Sequence, residues 1–382
     1  MKMHNNGIKI IIAGGKTGGH LFPGIAIAEA VHRKDTSCDI LFVGTGEKFE
    51  VATLEKYGFA HTKISCTGIK GKKNIKDRLH SILQIPVSIV QAVKIIRKFN
   101  PDIVLGVGGY SSGPVVLGAR LCNVMTAIHE QNSIPGVTNR ILSKFVQIIF
   151  TSFENTKGFP ATKNIFCFGN PVRRSGHKKY GNIAETGIQN HTDKTEISKN
   201  RDNFTILVTG GSQGASSINR AFLNAVKRMD HPEKYNIIHQ TGRNDEKMVI
   251  REYEKIGIKT KAGAFFYNMP VLQDMADLII CRAGAGTLSE ISAKGKPAIL
   301  IPYPYAANDH QRYNAEFFAD KGAAWVMQDS EITGAGLKDQ IEFAEKNPEK
   351  LVSMACAAKS LSKPCADEKI ALKCIQMAGK EI

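Results

Sequence analysis

The amino-acid sequence predicts an α/β protein built from two doubly wound, mainly parallel sheets that face each other across a crevice. Three observations carry the prediction. At 382 residues the chain is too long for one ordinary core. Short β-branched runs alternate with helical segments, the pattern of a parallel sheet covered on both faces. The alternation also stops after Asn170 and restarts near Thr205, across a polar stretch from Gly181 to Asn203 rich in Asn, Thr, Lys and Glu. The predicted organisation is a first domain of residues 1–170, a linker and insertion at 171–203, and a second domain of residues 204–365. A final helix at about 366–380 is a candidate to fold back on the first domain.

In chain order, the first half predicts strands at Lys9–Ala13, Ile40–Val43, Thr62–Ser65, Ile103–Val107, Thr126–Ile128, Ile148–Thr151 and Ile165–Phe168. The second half predicts Thr205–Val208, Ile237–Gln240, Leu278–Cys281, Ala298–Ile301 and Ala324–Met327. Each half opens with a strand and a glycine-rich turn, GGKTGGH (Gly14–His20) and GGSQGA (Gly210–Ala215), and a third turn, GVGGYSSGP (Gly106–Pro114), follows the strand at Ile103. Between Lys70 and Lys98 eight basic residues and one acid, Asp77, interleave with apolar residues at helical spacing, and Pro86 is expected to split this region into two short helices. Such a segment is either a core helix with a solvated basic face or a helix lying on an anionic bilayer.

Apolar content of 42% supports sizeable cores, and 51 Lys and Arg against 35 Asp and Glu leave a net charge of +16. That charge suits an anionic partner: nucleic acid, a phosphorylated substrate or a membrane surface. The 8 cysteines are scattered, with no CxxC pair and no zinc-site spacing, which predicts a reduced cytoplasmic chain without structural metal. No apolar run reaches the roughly 18 residues of a spanning helix, and the run Ile8–Ala13 ends in glycines and Lys16 rather than a cleavage site.

The most informative stretch is Asp277–Tyr305. A buried strand breaks at glycines and runs into a helix predicted over Thr287–Lys294, which aims free N–H groups and partial positive charge out of the turn. Glu290, one turn further on, suits sugar hydroxyls, and a nucleotide offers both groups. Other motifs fail. The GKT of Gly15–Thr17 is not a P-loop, because the required first glycine falls on Ile10. No turn is a strict GxGxxG, and Gly44 and Thr45 stand where a dinucleotide fold places an acid. GxSxG occurs twice, at Gly109–Ser111–Gly113 and Gly210–Ser212–Gly214, which fits two backbone cradles better than one hydrolase elbow. His20 sits near a helix N-terminus with Pro23 in the opening turn, where dipole and burial keep an imidazole neutral and able to accept a proton. A capping or packing role for His20 stays open, as does a core role for His129.

Seven stretches, GGKTGGHLFPG, VGGYSSGP, HEQNSIPG, GNPVR (Gly169–Arg173), GGSQGA, CRAGAGTLSE and NDHQRYNA (Asn308–Ala315), together resemble the MurG family of bacterial peptidoglycan glycosyltransferases over nearly the whole chain. The resemblance implies a GT-B fold of two Rossmann-like domains. It implies inverting transfer of N-acetylglucosamine from UDP-N-acetylglucosamine to the C4 hydroxyl of the muramyl sugar of lipid I, an undecaprenyl-diphosphate-linked muramyl pentapeptide, giving lipid II. His20 becomes the candidate base. Donor contacts are expected from Thr17, Gly18, Gly19, Asn132, Arg173, Ser212, Phe266, Gly286, Thr287, Glu290 and Gln311. Within that set Gly286 and Thr287 fall to the diphosphate, Glu290 to ribose, the Phe266 main chain to uracil, Gln311 to sugar hydroxyls, and Arg173 and Ser212 to the departing UDP. Acceptor contacts are expected from Lys16, Tyr110 and Ser111, with Thr17, His20 and Asn132 on the same side. Lys72, Lys73, Ile75, Lys76, Arg78, Leu79, Ile82 and Leu83 match a membrane-docking surface.

The implied location is the cytoplasmic face of the inner membrane, as a peripheral protein, with an anionic membrane surface and other cell-wall synthesis proteins as partners and no nucleic acid. No cofactor or protein-held metal is expected, and the sequence has no Asp-x-Asp. Three departures stand out: Lys16 where many relatives have glycine, Arg312 where some carry glutamine, and the insertion at Gly181–Asn203, which has no family role. The alternatives are a related enzyme with another acceptor, a diacylglycerol glycosyltransferase or a UDP-N-acetylglucosamine epimerase, and a non-catalytic nucleotide-sugar binder that needs no base.

Overall fold

The computed structural model describes residues 7–15, 17–66, 75–160, 163–172, 203–266 and 268–380, and of residues 75–83 the main chain only. The chain divides into two compact units, residues 1–182 with 363–382, and residues 183–362. Unit 1 runs β1 (Lys9–Ala13), α1 (Gly18–Lys34), β2 (Asp39–Gly44), α2 (Lys48–Lys56), β3 (Ala60–Lys63), α3 (Ile75–Phe99), β4 (Ile103–Gly106), α4 (Ser112–Leu121), β5 (Met125–Glu130), α5 (Val137–Leu142), β6 (Ile148–Thr151) and β7 (Asn164–Cys167). Unit 2 runs β8 (Phe204–Thr209), α6 (Ser216–Val226), β9 (Tyr235–Gln240), α7 (Glu246–Ile256), β10 (Thr260–Gly263), α8 (Met269–Met275), β11 (Leu278–Cys281), α9 (Ala285–Lys294), β12 (Ala298–Leu300), α10 (His310–Asp320), β13 (Trp325–Val326), α11 (Gly334–Lys346) and α12 (Pro348–Ser360). The last helix, α13 (Ala366–Met377), returns to unit 1.

Among the described residues unit 1 holds a sheet of order β3-β2-β1-β4-β5-β6-β7 and unit 2 one of order β10-β9-β8-β11-β12-β13, with every pairing parallel. Central strands are buried on both faces, as the run Ile10, Ile11, Ile12 at 0% exposure illustrates. The strand order reverses between β1 and β4 and again between β8 and β11, and the carboxyl ends of those strands are where doubly wound sheets take ligands.

Three of the differences from the sequence expectation have a clear physical cause. β10 was not predicted: its segment, TKAG, is partly exposed and carries no apolar run, and only its pairing with β9 along the sheet edge makes it a strand. β3 lies at Ala60–Lys63 rather than Thr62–Ser65, because its register sets Ala60 opposite Leu41. Most tellingly, Pro86 does not split α3. A proline removes one helix hydrogen bond and crowds the preceding turn, but Ser88, Ala92 and Ile96, four apart, are all buried. Gly118 of α4 admits that face closely, since a Cβ there would lie 3.2 Å from the Ala92 Cβ, and the Ser88 hydroxyl donates to the Ser65 carbonyl at 2.5 Å. Tertiary contact therefore outweighs local propensity. No helix among the described residues is long and apolar enough to cross a membrane.

α13 completes the unit 1 core on the α1 side. Ile370, Ala371, Cys374 and Ile375 join Ile25, Ile27 and Val31 in one buried cluster, and Arg33 Nη2 meets Asp367 Oδ2 at 2.6 Å above it. Because Ile370 is 0% exposed, Ile370→Ala is expected to lower the unfolding free energy by about 2–5 kcal/mol. Urea denaturation of the full chain measures it, and a change under about 0.5 kcal/mol would mean the helix is not seated there.

Candidate active site

At the unit 1 switch point two glycine turns touch. Gly14 has φ +134° and Gly108 φ +95°, and a Cβ on Gly14 would fall 2.3 Å from the Gly108 carbonyl oxygen. A Cβ on Gly108 would in turn lie 2.6 Å from His20 Cδ2, so the imidazole rests on bare main chain. His20 is half-buried in the first turn of α1, and its Nδ1 lies 3.2 Å from Oγ1 of Thr17, the exposed residue that precedes the helix. Gly18 and Gly19 form the start of that turn.

Behind His20 lies a buried polar chain that runs through HEQN. His129 Nε2 donates to the Gly169 carbonyl at 3.2 Å, and its Nδ1 accepts from Gln131 Nε2 at 3.0 Å. The same Gln131 nitrogen donates to the Val107 carbonyl at 2.9 Å, which ties the β4 turn to the loop after β7. Burial, with the nearby His20 adding to it, pushes the His129 pKa down to about 4, so the ring is neutral. Glu130 is 2% exposed and its pKa is raised by burial. Its carboxylate nonetheless accepts from the Asn132 and Gly136 N–H groups and from the Asn132 and Asn139 amides, and so shapes the whole loop. Sequence reasoning missed Glu130; the available signal was a charged residue ending a buried strand. Tyr110 is exposed, whereas Ser111 is buried at the start of α4.

In unit 2 the GGSQGA turn packs against the turn after β9. Gly214 and Gly242, both at φ +78°, leave no room for side chains: a Cβ on Gly242 would sit 2.6 Å from the Gly214 Cα. Gln240, buried at the end of β9, donates to Thr209 Oγ1 and the Gly211 carbonyl and accepts from the Phe266 N–H at 2.9 Å. It thereby fixes both the Ser212 turn, where Ser212 is exposed, and the loop at Phe266. Beneath them His239 is buried between Tyr253 OH and Asn219 Oδ1, and burial pushes its pKa down to about 3.

α9 begins at Ala285 rather than Thr287, so Gly286 and Thr287 both lie in its first turn. A Cβ on Gly284 or Gly286 would meet nothing within 4 Å, so the space before the helix is open while its unpaired N–H groups point outward. One turn on, the half-buried Glu290 accepts from Gln273 Nε2 at 2.8 Å through Oε2. Arg282, also missed from sequence, holds the surrounding loops. Its guanidinium donates to the Ile301 and Pro302 carbonyls at 3.1 Å each, to Asp329 and to Ser217. In the NDHQ segment Asn308 and Asp309 both adopt φ 56°, a strained pair for non-glycine residues. Gln311 Oε1 accepts the Tyr303 N–H at 3.0 Å, while Arg312 bonds Asp309 and Glu316 and stacks on Tyr313. The Arg312 guanidinium is thus engaged on its own helix.

Lys16, Lys72, Lys73 and Arg173 lie outside the described residues, as do the side chains of Ile75, Lys76, Arg78, Leu79, Ile82 and Leu83. Among the described residues no group of three or more His, Cys, Asp or Glu is arranged to hold a metal ion. A groove of about 700 Å³ opens at the opposite, amino end of the unit 2 sheet between Phe204, Asp277, Lys296 and Leu351, and it touches none of these motifs.

Residues 10–151 match the glycosyltransferase family 28 N-terminal domain, and residues 205–370 match the C-terminal domain of that family. The chain belongs to glycosyltransferase family 28. Its two Rossmann-like parallel sheets are the GT-B architecture. A family 28 relative from Syntrophus aciditrophicus is 41% identical over 97% of this chain and 99% of its own length, and is named UDP-N-acetylglucosamine--N-acetylmuramyl-(pentapeptide) pyrophosphoryl-undecaprenol N-acetylglucosamine transferase. The crystal structure of Acinetobacter baumannii MurG superposes with a TM-score of 0.75 at 28% identity, covering 97% of this chain and 99% of that one. A Neisseria meningitidis UDP-GlcNAc 2-epimerase bound to UDP-GlcNAc shares the fold at 14% identity and TM-score 0.64, covering 97% of this chain and 100% of its own. Within these domains the glycine-rich turns follow the carboxyl ends of β1, β4, β8 and β11.

The two neutral histidines set an acid limit on this scaffold. In the unfolded chain each takes up a proton near pH 6.5, whereas folded His129 resists protonation down to about 4 and His239 to about 3. Their favourable contribution is therefore complete above pH 6.5 and is lost as pH falls toward the folded values. Lowering pH from 7 to 5 is expected to destabilise both units, by up to about 1.4 kcal/mol per pH unit for each ring below its unfolded pKa. Urea midpoints against pH test this, with His129→Gln expected to flatten the profile.

Proposed function

We propose that this glycosyltransferase moves N-acetylglucosamine from UDP-N-acetylglucosamine to the C4 hydroxyl of the muramyl sugar of lipid I, giving lipid II with inversion at the anomeric carbon. The observation that carries the reading is the α9 turn. Unpaired N–H groups face open space over Gly284 and Gly286, with Glu290 one turn further along, in a chain 41% identical to a named transferase over nearly its full length. A diphosphate suits the helix N-terminus and ribose hydroxyls suit the carboxylate.

On this reading unit 2 takes the donor. Gly286 and Thr287 meet the diphosphate, Glu290 the ribose, the main chain at Phe266 the uracil, and Gln311 the transferred sugar, while Ser212 and Arg173 close on the departing UDP. Unit 1 takes the acceptor through Lys16, Tyr110 and Ser111, with Thr17, Gly18, Gly19 and Asn132 beside the reacting sugar. The acceptor C4 oxygen attacks C1 on the face opposite the diphosphate, the C1–O bond to UDP breaks, and the hydroxyl proton passes to His20. With Nδ1–H donating to Thr17 Oγ1, the ring presents Nε2 as the acceptor of that proton. Charge leaving with UDP is met by the N–H groups of α9. No protein-held metal enters the scheme.

The assay is purified protein with UDP-N-acetylglucosamine and a lipid I analogue, scored for UDP release and for a β-1,4-linked disaccharide. His20→Ala should cut kcat by about a hundred- to ten-thousandfold. Near-normal turnover in that variant would remove His20 as the base, and UDP release without disaccharide would remove the acceptor.

We further propose that the protein is peripheral on the cytoplasmic face of the inner membrane and docks through the α3–α5 side of unit 1. Support comes from Val137, Ile141 and Phe145, four apart and 51%, 53% and 46% exposed, with the exposed cations Arg140 and Lys144 between them. Val87 and Val90 of α3 and Leu121 of α4 are exposed on neighbouring helices. Apolar side chains flanked by cations suit an anionic lipid surface. Ile141→Ser with Phe145→Ser, and separately Gln at Lys72, Lys73, Lys76 and Arg78, should each weaken sedimentation with anionic vesicles several-fold. Unchanged sedimentation in both sets would reduce this face to a solvated one.

A further inference from the structure

We infer that Gln273 positions Glu290 for the donor ribose and so sets affinity for the nucleotide without entering the chemistry. The inference rests on the reading of Glu290 as the ribose ligand. Gln273 lies on α8, which packs on α9, and is 2% exposed. Its Nε2 donates to Glu290 Oε2 at 2.8 Å, while its own Oε1 is buried without a hydrogen-bond partner. An apolar side chain would fill that space without stranding a carbonyl oxygen, so the useful part of the residue is the N–H donor. Held at Oε2, the carboxylate is restrained about its last torsion, which is intrinsically broad. Titratable neighbours include Cys281, whose thiol burial and then Glu290 push up to about 12, and the Asp274–Lys294 ion pair that joins α8 to α9.

Two variants test the assignment against donor concentration and pH. Gln273→Leu should raise KM for UDP-N-acetylglucosamine about tenfold and leave kcat within about twofold. The penalty should vanish for a donor analogue lacking the ribose 2′ and 3′ hydroxyls. Gln273→Glu keeps the shape but sets two carboxyl groups at hydrogen-bond distance, where they share a proton at an apparent pKa raised for the pair. Its KM should therefore be high at pH 8 and recover toward the parent value at pH 6, where the protonated partner again donates. A purely structural amide gives no such recovery. If Glu290→Gln leaves donor KM unchanged, the ribose reading itself fails. If Glu290→Gln raises KM but Gln273→Glu leaves it unchanged, or raises it equally at every pH, the positioning role alone is overturned. The Gln273→Glu result decides the matter even where Gln273→Leu does not fold.

Discussion

The approach of Gly14 to Gly108 is the constraint on which the rest of unit 1 depends. Neighbouring parallel strands lie about 4.8 Å apart, so the turns leaving β1 and β4 at the switch point must share a space too narrow for side chains. Left-handed glycines resolve the crowding, and the surface they make is where the His20 ring lies. His20 therefore rests on main chain, with the Thr17 hydroxyl 3.2 Å from its Nδ1. Support extends outward in layers. α1 carries His20 at its start and buries Ile25, Ile27 and Val31 against the sheet, and α13 closes over the same cluster with Ile370 and Cys374. A residue more than 300 positions away in sequence thus backs the helix that presents the proposed base, as the Arg33–Asp367 contact, |i−j| 334, illustrates.

Unit 2 meets the same crowding by two routes. On the β9 side it uses paired glycines, Gly214 and Gly242. On the β12 side it uses a cation instead, since Arg282 gathers the Ile301 and Pro302 carbonyls, Asp329 and Ser217 into one cluster. The difference has a consequence at α9. Because Arg282 holds the loops from within, nothing needs to fill the space before Gly284 and Gly286, and the helix N-terminus faces outward with its N–H groups available. Buried polar networks of this kind are costly when half satisfied, and the pairing of His239 with Tyr253 and Asn219 shows how closely the partners must match.

Much of this was legible in the sequence, for a physical reason. Parallel strands buried on both faces read as continuous apolar runs, so β1, β6 and β11 carry their predicted bounds. β10 was invisible because an edge strand can be held by main-chain pairing alone. Pro86 misled because a local rule cannot see the buried face formed by Ser88, Ala92 and Ile96. Within the site, glycine turns and Glu290 announce themselves by residue type and spacing. Their supports do not: Gln273 reaches Glu290 over 17 residues and Arg282 reaches Asp329 over 47, and no local pattern encodes which buried amide or cation will meet which loop. Arg312 lies between these cases. Its departure from the family pattern was visible, but its bonds to Asp309 and Glu316 had to be seen.

The α9 arrangement also accounts for a carboxylate beside the proposed anion site. The field of a helix N-terminus acts mainly within its first turn, which Gly286 and Thr287 occupy, and Glu290 follows about one 5.4 Å turn later. On the proposed reading, a diphosphate at the helix end and a ribose one turn along would be offset by a distance natural to a single nucleotide, so like charges need not crowd. On that reading Glu290 must still be correctly turned in its half-buried setting. An amide donor at 2.8 Å holds the carboxylate without adding a cation that would compete for a diphosphate. Lysine or arginine in its place would bind the carboxylate more strongly but would blur the boundary between the phosphate end and the sugar end. A neutral donor keeps the two ends chemically distinct.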